Sequence, residues 1–440
     1  MLKKILVFVF LISLTFLFST CFFQTGRGDA DSDPEEPAET PVPSADAEKP
    51  SQIQQPSPKP SPMPAPSAKP APTEEERFKE ILGGMTVEEK LGQLLIIGYS
   101  DAEHAETMIK EYNIGGFVLF SRSFDTFDQL YELTSRLREN NEEEPLPLWI
   151  ALDEEGGTVT RLPSGRTPIP DARKVGGLDD LDLTETVGWV IGREMAAAGA
   201  NLDFAPVVDI VDNPENAFML KRSFGSTPEE VSRHAAAFLK GLHSTGVQGC
   251  AKHFPGHGGT AVDSHKDMPV LNASLEEWLA KDALPFQAVI DAGVEMVMAG
   301  HLAFPEIDPS ELPASMSSVF LTDLLRDRMG FEGLIITDDI EMQGYPQGDD
   351  RKEAVITSFL AGIDLFAIGP SPQIQLEVLE ALREGVESGR ITEQRVDESL
   401  MRVIKAKMKL KVIPRYSLEE AREIFGSREH KEAVSRLFEN

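Results

Sequence analysis

The chain predicts an α/β fold, a (β/α)8 (TIM) barrel, on three observations. Eight short apolar runs recur between Leu94 and Ile368. They are continuous rather than alternating, as strands buried on both faces of a parallel sheet are. Segments of helical period separate them, giving the strand–helix alternation of a barrel. An open doubly wound sheet is the other architecture compatible with this alternation.

The predicted strands are Leu94–Ile97, Gly116–Phe120, Leu148–Leu152, Leu202–Pro206, Gln248–Lys252, Met296–Ala299, Leu334–Thr337 and Leu365–Ile368. Several helices announce their starts. Thr227-Pro228-Glu229-Glu230 puts proline in the first turn and acids beside the positive end of the dipole. Ser274-Leu275-Glu276-Glu277 is a capping box leading into one helix from Trp278 to Ala292. Thr392 opens an amphipathic helix carrying Val396, Leu400, Val403, Ile404 and Met408. The barrel is assigned to residues 74–412, and residues 413–440 to a helical extension packed on its outside.

The preceding sequence has a different character. Residues 1–21 read as a signal segment, with Lys3 and Lys4 ahead of an apolar stretch from Ile5 to Phe18. Phe18-Ser19-Thr20-Cys21 resembles a lipobox, which makes Cys21 the expected site of lipidation. An uncleaved anchor and ordinary secretion are the alternatives, and all three export the folded part. Residues 22–73, rich in Pro, Ser, Ala and acids, have too few large apolar residues to offset chain entropy. This linker is expected to be disordered and to tether the barrel to a membrane. Only Cys250 follows it, so no disulfide can form within the barrel. The net charge of −31 argues against nucleic acid or anionic lipid as a partner and is compatible with a neutral glycan.

In the barrel reading, the polar clusters follow strands. Asp153-Glu154-Glu155-Gly156-Gly157 follows the third, Asp203 and Asp209 flank the end of the fourth, Lys252-His253 ends the fifth, His301 follows the sixth and Asp338-Asp339 ends the seventh. Barrel active sites occupy that rim. A carboxylate at Asp338 would be held rigidly enough to act as a nucleophile, although Asp before a helix is also a common cap and Asp339 competes for either role. Three of the eight histidines fall between His253 and His265, in a Gly/Pro-punctuated stretch. Asp263 can orient the His265 imidazole, which suits a general acid/base, or the pair can simply stabilise a loop. With Asp338 it offers double displacement at an acetal carbon. A metal site from His253, His257, Asp263 and His265 is the rival chemistry, but H-x3-H-x7-H is not a strong zinc spacing and Lys252 disfavours a cation there. No metal or cofactor is expected.

The stretch KHFPGHGGTAVDSHKDMPVL, from Lys252 to Leu271, resembles the signature of the β-N-acetylglucosaminidase branch of glycoside hydrolase family 3. Met85–Leu94, Ile114–Phe120, Leu152–Gly157, Asn201–Asp209, Arg222–Gly225 and Ile336–Met342 follow the family's pattern in order. The resemblance implies retaining removal of terminal β-linked N-acetylglucosamine, with Asp338 as nucleophile and His265, oriented by Asp263, as acid/base. It also implies that Asp153, Arg161, Arg222, Lys252 and His253 hold the sugar; a structural ion pair is the other reading of each arginine. Thr158 and Gly259 depart from the family, which usually has Arg and Asp there. The expected protein is a monomeric, membrane-tethered exo-β-N-acetylglucosaminidase acting on peptidoglycan fragments or other glycans ending in N-acetylglucosamine. A phosphorylase of the same branch, a metal-dependent hydrolase and a non-catalytic glycan-binding barrel are the alternatives.

Overall fold

The computed structural model describes residues 73–260, 268–410 and 414–439. Eight parallel strands form the barrel: β1 Leu95–Gly98, β2 Gly116–Val118, β3 Trp149–Leu152, β4 Leu202–Asp203, β5 Gln248–Phe254, β6 Met296–Ala299, β7 Leu334–Thr337 and β8 Phe366–Ile368. Their spatial order is β7-β6-β5-β4-β3-β2-β1-β8. Leu365 completes the ring, pairing with Ile336 and accepting a 3.0 Å bond from the Thr337 N–H. All eight predicted runs therefore contain a strand, each buried along its whole length.

Two boundaries differ from expectation in ways that matter. β5 continues past Lys252 to Phe254, and its register against β6 shifts between Ala251 and Phe254. Such a bulge re-aims side chains at a barrel rim, and here Lys252 and His253 both line the central cavity. The helix expected from Trp278 to Ala292 is two helices, Leu275–Ala280 and Ala283–Asp291. Pro285 explains the break: it has no N–H for the Lys281 carbonyl, and its ring crowds that carbonyl. The Trp278 indole instead anchors the first piece, donating to the Pro255 carbonyl at 2.8 Å.

The outer helices pack closely where glycine permits it. A side chain at Gly188, on helix Leu181–Ala197, would collide with the Phe238 carbonyl of helix Pro228–His243. The expected capping box at Ser274 forms, and so does one at Thr227 with Pro228 in the first turn. Beyond residue 414, helices Leu418–Ile424 and Arg428–Ala433 lie against the barrel's outer helices. Phe425 stacks on Phe127 with ring centroids 4.2 Å apart, and the Tyr131 hydroxyl donates to the Tyr416 carbonyl at 2.7 Å. No helix among the described residues is long and apolar enough to cross a membrane.

Candidate active site

The strand ends bring Asp153, Arg161, Arg222, Lys252, His253 and Asp338 around one cavity of about 230 Å³. Asp338 directly follows β7, where its N–H bonds the Ala299 carbonyl of β6 at 2.9 Å. Burial pushes its carboxyl up, but His253, His301, the Asp339 N–H and Lys252 outweigh burial and hold it below its ordinary value. A rigid, ionised carboxylate facing a cavity has the properties of a nucleophile.

Asp339 has the opposite environment. Burial is the main reason that its carboxyl is raised to about 6, with the Glu341 and Asp338 carboxylates adding to it. Its Oδ1 accepts from the N–H groups of Glu341 at 3.0 Å and Gly369 at 2.8 Å, tying the end of β7 to the end of β8. Neither aspartate caps a helix, because the next α-helix starts only at Arg351; Asp339 instead serves as a backbone tether.

Beside them runs a buried ion network. Lys252 Nζ lies 2.8 Å from both Asp153 Oδ1 and Glu155 Oε1. Arg222 forks onto Glu155, donating at 2.8 and 2.7 Å. Burial opposes charge on all three buried partners, but their mutual attraction prevails. Lys252 and Arg222 hold the Glu155 carboxyl at about 2, while Asp153 and Glu155 raise Lys252 and Glu155 raises Arg222. Charged groups held this way are preorganised to hydrogen-bond hydroxyls without rearranging.

His253 is fixed from behind. Asp209 Oδ2 accepts from its Nδ1 at 2.8 Å and from its backbone N–H at 3.2 Å, while Oδ1 accepts from the His257 N–H at 2.6 Å. This orients the ring and leaves Nε2 3.4 Å from Arg222. Arg161 stands on the loop after β3, which Glu154 organises by accepting from the Thr160 hydroxyl, the Arg161 N–H and the Leu162 N–H at 2.5, 2.7 and 2.8 Å. Its Nη2 is 3.4 Å from Asp153, and its buried Nε has no hydrogen-bond partner among the described residues.

Glu155 and Asp209 were named in the sequence without a task. Their signal was indirect: Arg222 on the loop after β4 and Lys252 on β5 need anions once they are buried. The apolar part of the lining, including Phe120, Phe204, Phe218, Met298 and Met342, had no local signature. Asp263 and His265 lie outside the described residues, in the segment between Thr260 and Met268, and Cys21 also lies outside them. Thr158 donates from its N–H and hydroxyl to Asp171 at 2.8 and 2.7 Å and does not line the cavity. A side chain at Gly259 would come within 3.1 Å of Leu271. Among the described residues no group of three or more His, Cys, Asp or Glu is placed to hold a metal ion.

The fold agrees with that of related chains. Residues 86–406 match the glycosyl hydrolase family 3 N-terminal domain. The chain belongs to this family and is a glycoside hydrolase. A β-hexosaminidase of Methylococcus capsulatus is 38% identical over 271 residues, covering 61% of this chain and 79% of that protein. One from Neisseria gonorrhoeae is 36% identical over 297 residues, covering 66% and 80%. A family 3 β-N-acetylglucosaminidase structure from Paenibacillus sp. str. FPU-7 superposes with a TM-score of 0.76 at 34% identity, over 80% of this chain and 68% of that one. A β-glucoside phosphorylase superposes with a TM-score of 0.75 at 30% identity, over 84% and 68%.

Proposed function

We propose that the protein is a retaining exo-β-N-acetylglucosaminidase that removes terminal β-linked N-acetylglucosamine. The observation that carries this reading is the ionised Asp338 carboxylate facing a cavity whose cations are already matched by carboxylates. Such a wall suits a neutral, hydroxyl-rich ring. The names of the similar β-hexosaminidases support the choice of sugar.

In the proposed mechanism, an Asp338 oxygen attacks the anomeric carbon. The bond to the aglycone oxygen breaks, and that oxygen takes a proton from His265, which Asp263 orients. The glycosyl–Asp338 ester is then attacked by water, which loses its proton to His265. The carboxylate leaves, and the configuration is retained after two inversions. Asp153, Lys252, Arg222, His253 and Arg161 hold the ring, and contacts that tighten as charge develops at the anomeric carbon add rate.

Export and lipidation at Cys21 are part of the proposal, motivated by the apolar Ile5–Phe18 stretch. Outside the membrane, peptidoglycan fragments are the proposed substrates. The superposition on a β-glucoside phosphorylase keeps phosphorolysis as a second reading. Turnover of an aryl β-N-acetylglucosaminide, with products identified in water and in phosphate buffer, tests both. Free N-acetylglucosamine in both buffers supports hydrolysis. A sugar 1-phosphate in phosphate supports the second reading, and no release in either contradicts both.

A further inference from the structure

We propose that His301 is a positioning residue, which aims the Asp338 nucleophile by holding the backbone of Asp339; the inference rests on the glycosidase reading above. The Asp338 carboxylate takes its direction from the residue that follows it, because the Asp339 N–H donates to Asp338 Oδ1 at 2.8 Å. Where that N–H points depends on how Asp339 is held. Its side chain is tied to the Glu341 and Gly369 N–H groups. Its carbonyl lies 3.2 Å from His301 Nε2. A carbonyl only accepts, so Nε2 carries the hydrogen of this bond.

The end of β6 thereby grips the Asp338–Asp339 pair at both ends. The Ala299 carbonyl accepts from the Asp338 N–H at 2.9 Å, and His301, two residues further on, takes the Asp339 carbonyl. His301 is fully buried and its ring is fixed on other sides as well. Its Nδ1 is 2.8 Å from Ser315 Oγ, and the Ser315 N–H bonds the Gly300 carbonyl at 3.3 Å, which ties Ser315 to the residue before His301. The buried Tyr345 ring lies 5.0 Å from the imidazole, centroid to centroid, and its hydroxyl is 3.0 Å from Ser358 Oγ. With Oδ1 engaged by the Asp339 N–H, Oδ2 is the oxygen that attacks the anomeric carbon. Oδ1 then becomes the carbonyl oxygen of the glycosyl ester and keeps its hydrogen bond. A reacting group held by such a support is sensitive to small displacements of it.

The test follows formation of the glycosyl-enzyme in the full chain, using an activated 5-fluoro-β-N-acetylglucosaminide. Its concentration dependence separates the maximum rate of trapping from the apparent binding constant. His301→Leu should lower the maximum rate about 10- to 100-fold, the cost of a misplaced reacting group, and change the binding constant by less than about 3-fold. His301→Gln, which can again offer an N–H to the Asp339 carbonyl, should return most of that rate. Ser315→Ala keeps the ring but removes its Nδ1 partner, and should lower the rate about 2- to 12-fold, as for one lost hydrogen bond; it decides the matter if His301→Leu does not fold. Overturning results are an unchanged trapping rate in either His301→Leu or Ser315→Ala, a loss confined to binding or to Tm, or a folded His301→Gln as slow as His301→Leu. If the wild type neither traps the reagent nor turns over an aryl glycoside, the glycosidase reading itself fails and the role of His301 fails with it.

Discussion

At the residue scale the site separates two neighbouring carboxyls by environment. Asp338 is held ionised by the histidines and lysine around it, whereas Asp339 is raised and committed to two backbone N–H groups. Asp338→Asn should therefore lower kcat by about 10⁴-fold or more, as loss of a nucleophile does, with Tm unchanged. Asp339→Asn keeps an oxygen for both N–H groups and should retain at least a tenth of the activity; steady-state kinetics on an aryl glycoside check both. Glu155 gives a stability prediction with a definite sign. Its folded value of about 2 lies below its ordinary 4.5, so its contribution is complete above pH 4.5 and is lost as the pH falls towards 2. Glu155→Gln should flatten that part of the profile in denaturant titrations. It should also destabilise at pH 7 by about 3–5 kcal/mol, because Lys252 and Arg222 lose their shared buried anion.

At the scale of elements, the strands were readable because burial on both faces leaves an uninterrupted apolar run, as in Leu334–Thr337. The split at Lys281 was encoded by Pro285 but masked by a strong cap at Ser274. Site residues at strand ends were legible from position alone, whereas Asp209 and Glu155 act through partners 44 and 67 residues away. Only the closed barrel brings those pairs together. One further long-range contact joins the extension beyond residue 414 to the loop after β3. Buried Glu194 accepts from Thr167 on the β3 loop, from the Gly426 N–H at 3.1 Å and from His430 Nδ1 at 3.0 Å. That loop also carries Arg161. Glu194→Ala should leave these donors unsatisfied and cost about 1–3 kcal/mol per buried group. Thermal unfolding should show a lower Tm, and kinetics should show KM rising more than kcat falls.

At the scale of the whole molecule, a barrel with its charged groups paired around one cavity is compatible with a chain carrying −31 net charge and a neutral substrate. The proposed lipid anchor adds a prediction about place: Cys21→Ser, expressed in a lipidating host, should move the protein from the detergent-extracted membrane fraction to the soluble one. Equal distribution of both forms would contradict lipidation at Cys21. The central claim is that Asp338 forms a covalent bond to the sugar. An activated 5-fluoro-β-N-acetylglucosaminide should form a long-lived glycosyl-enzyme, observed as one added sugar in the intact mass. Peptide mapping should place that increment on Asp338. An adduct on another carboxylate, or steady turnover with inverted configuration and no adduct, would contradict the account.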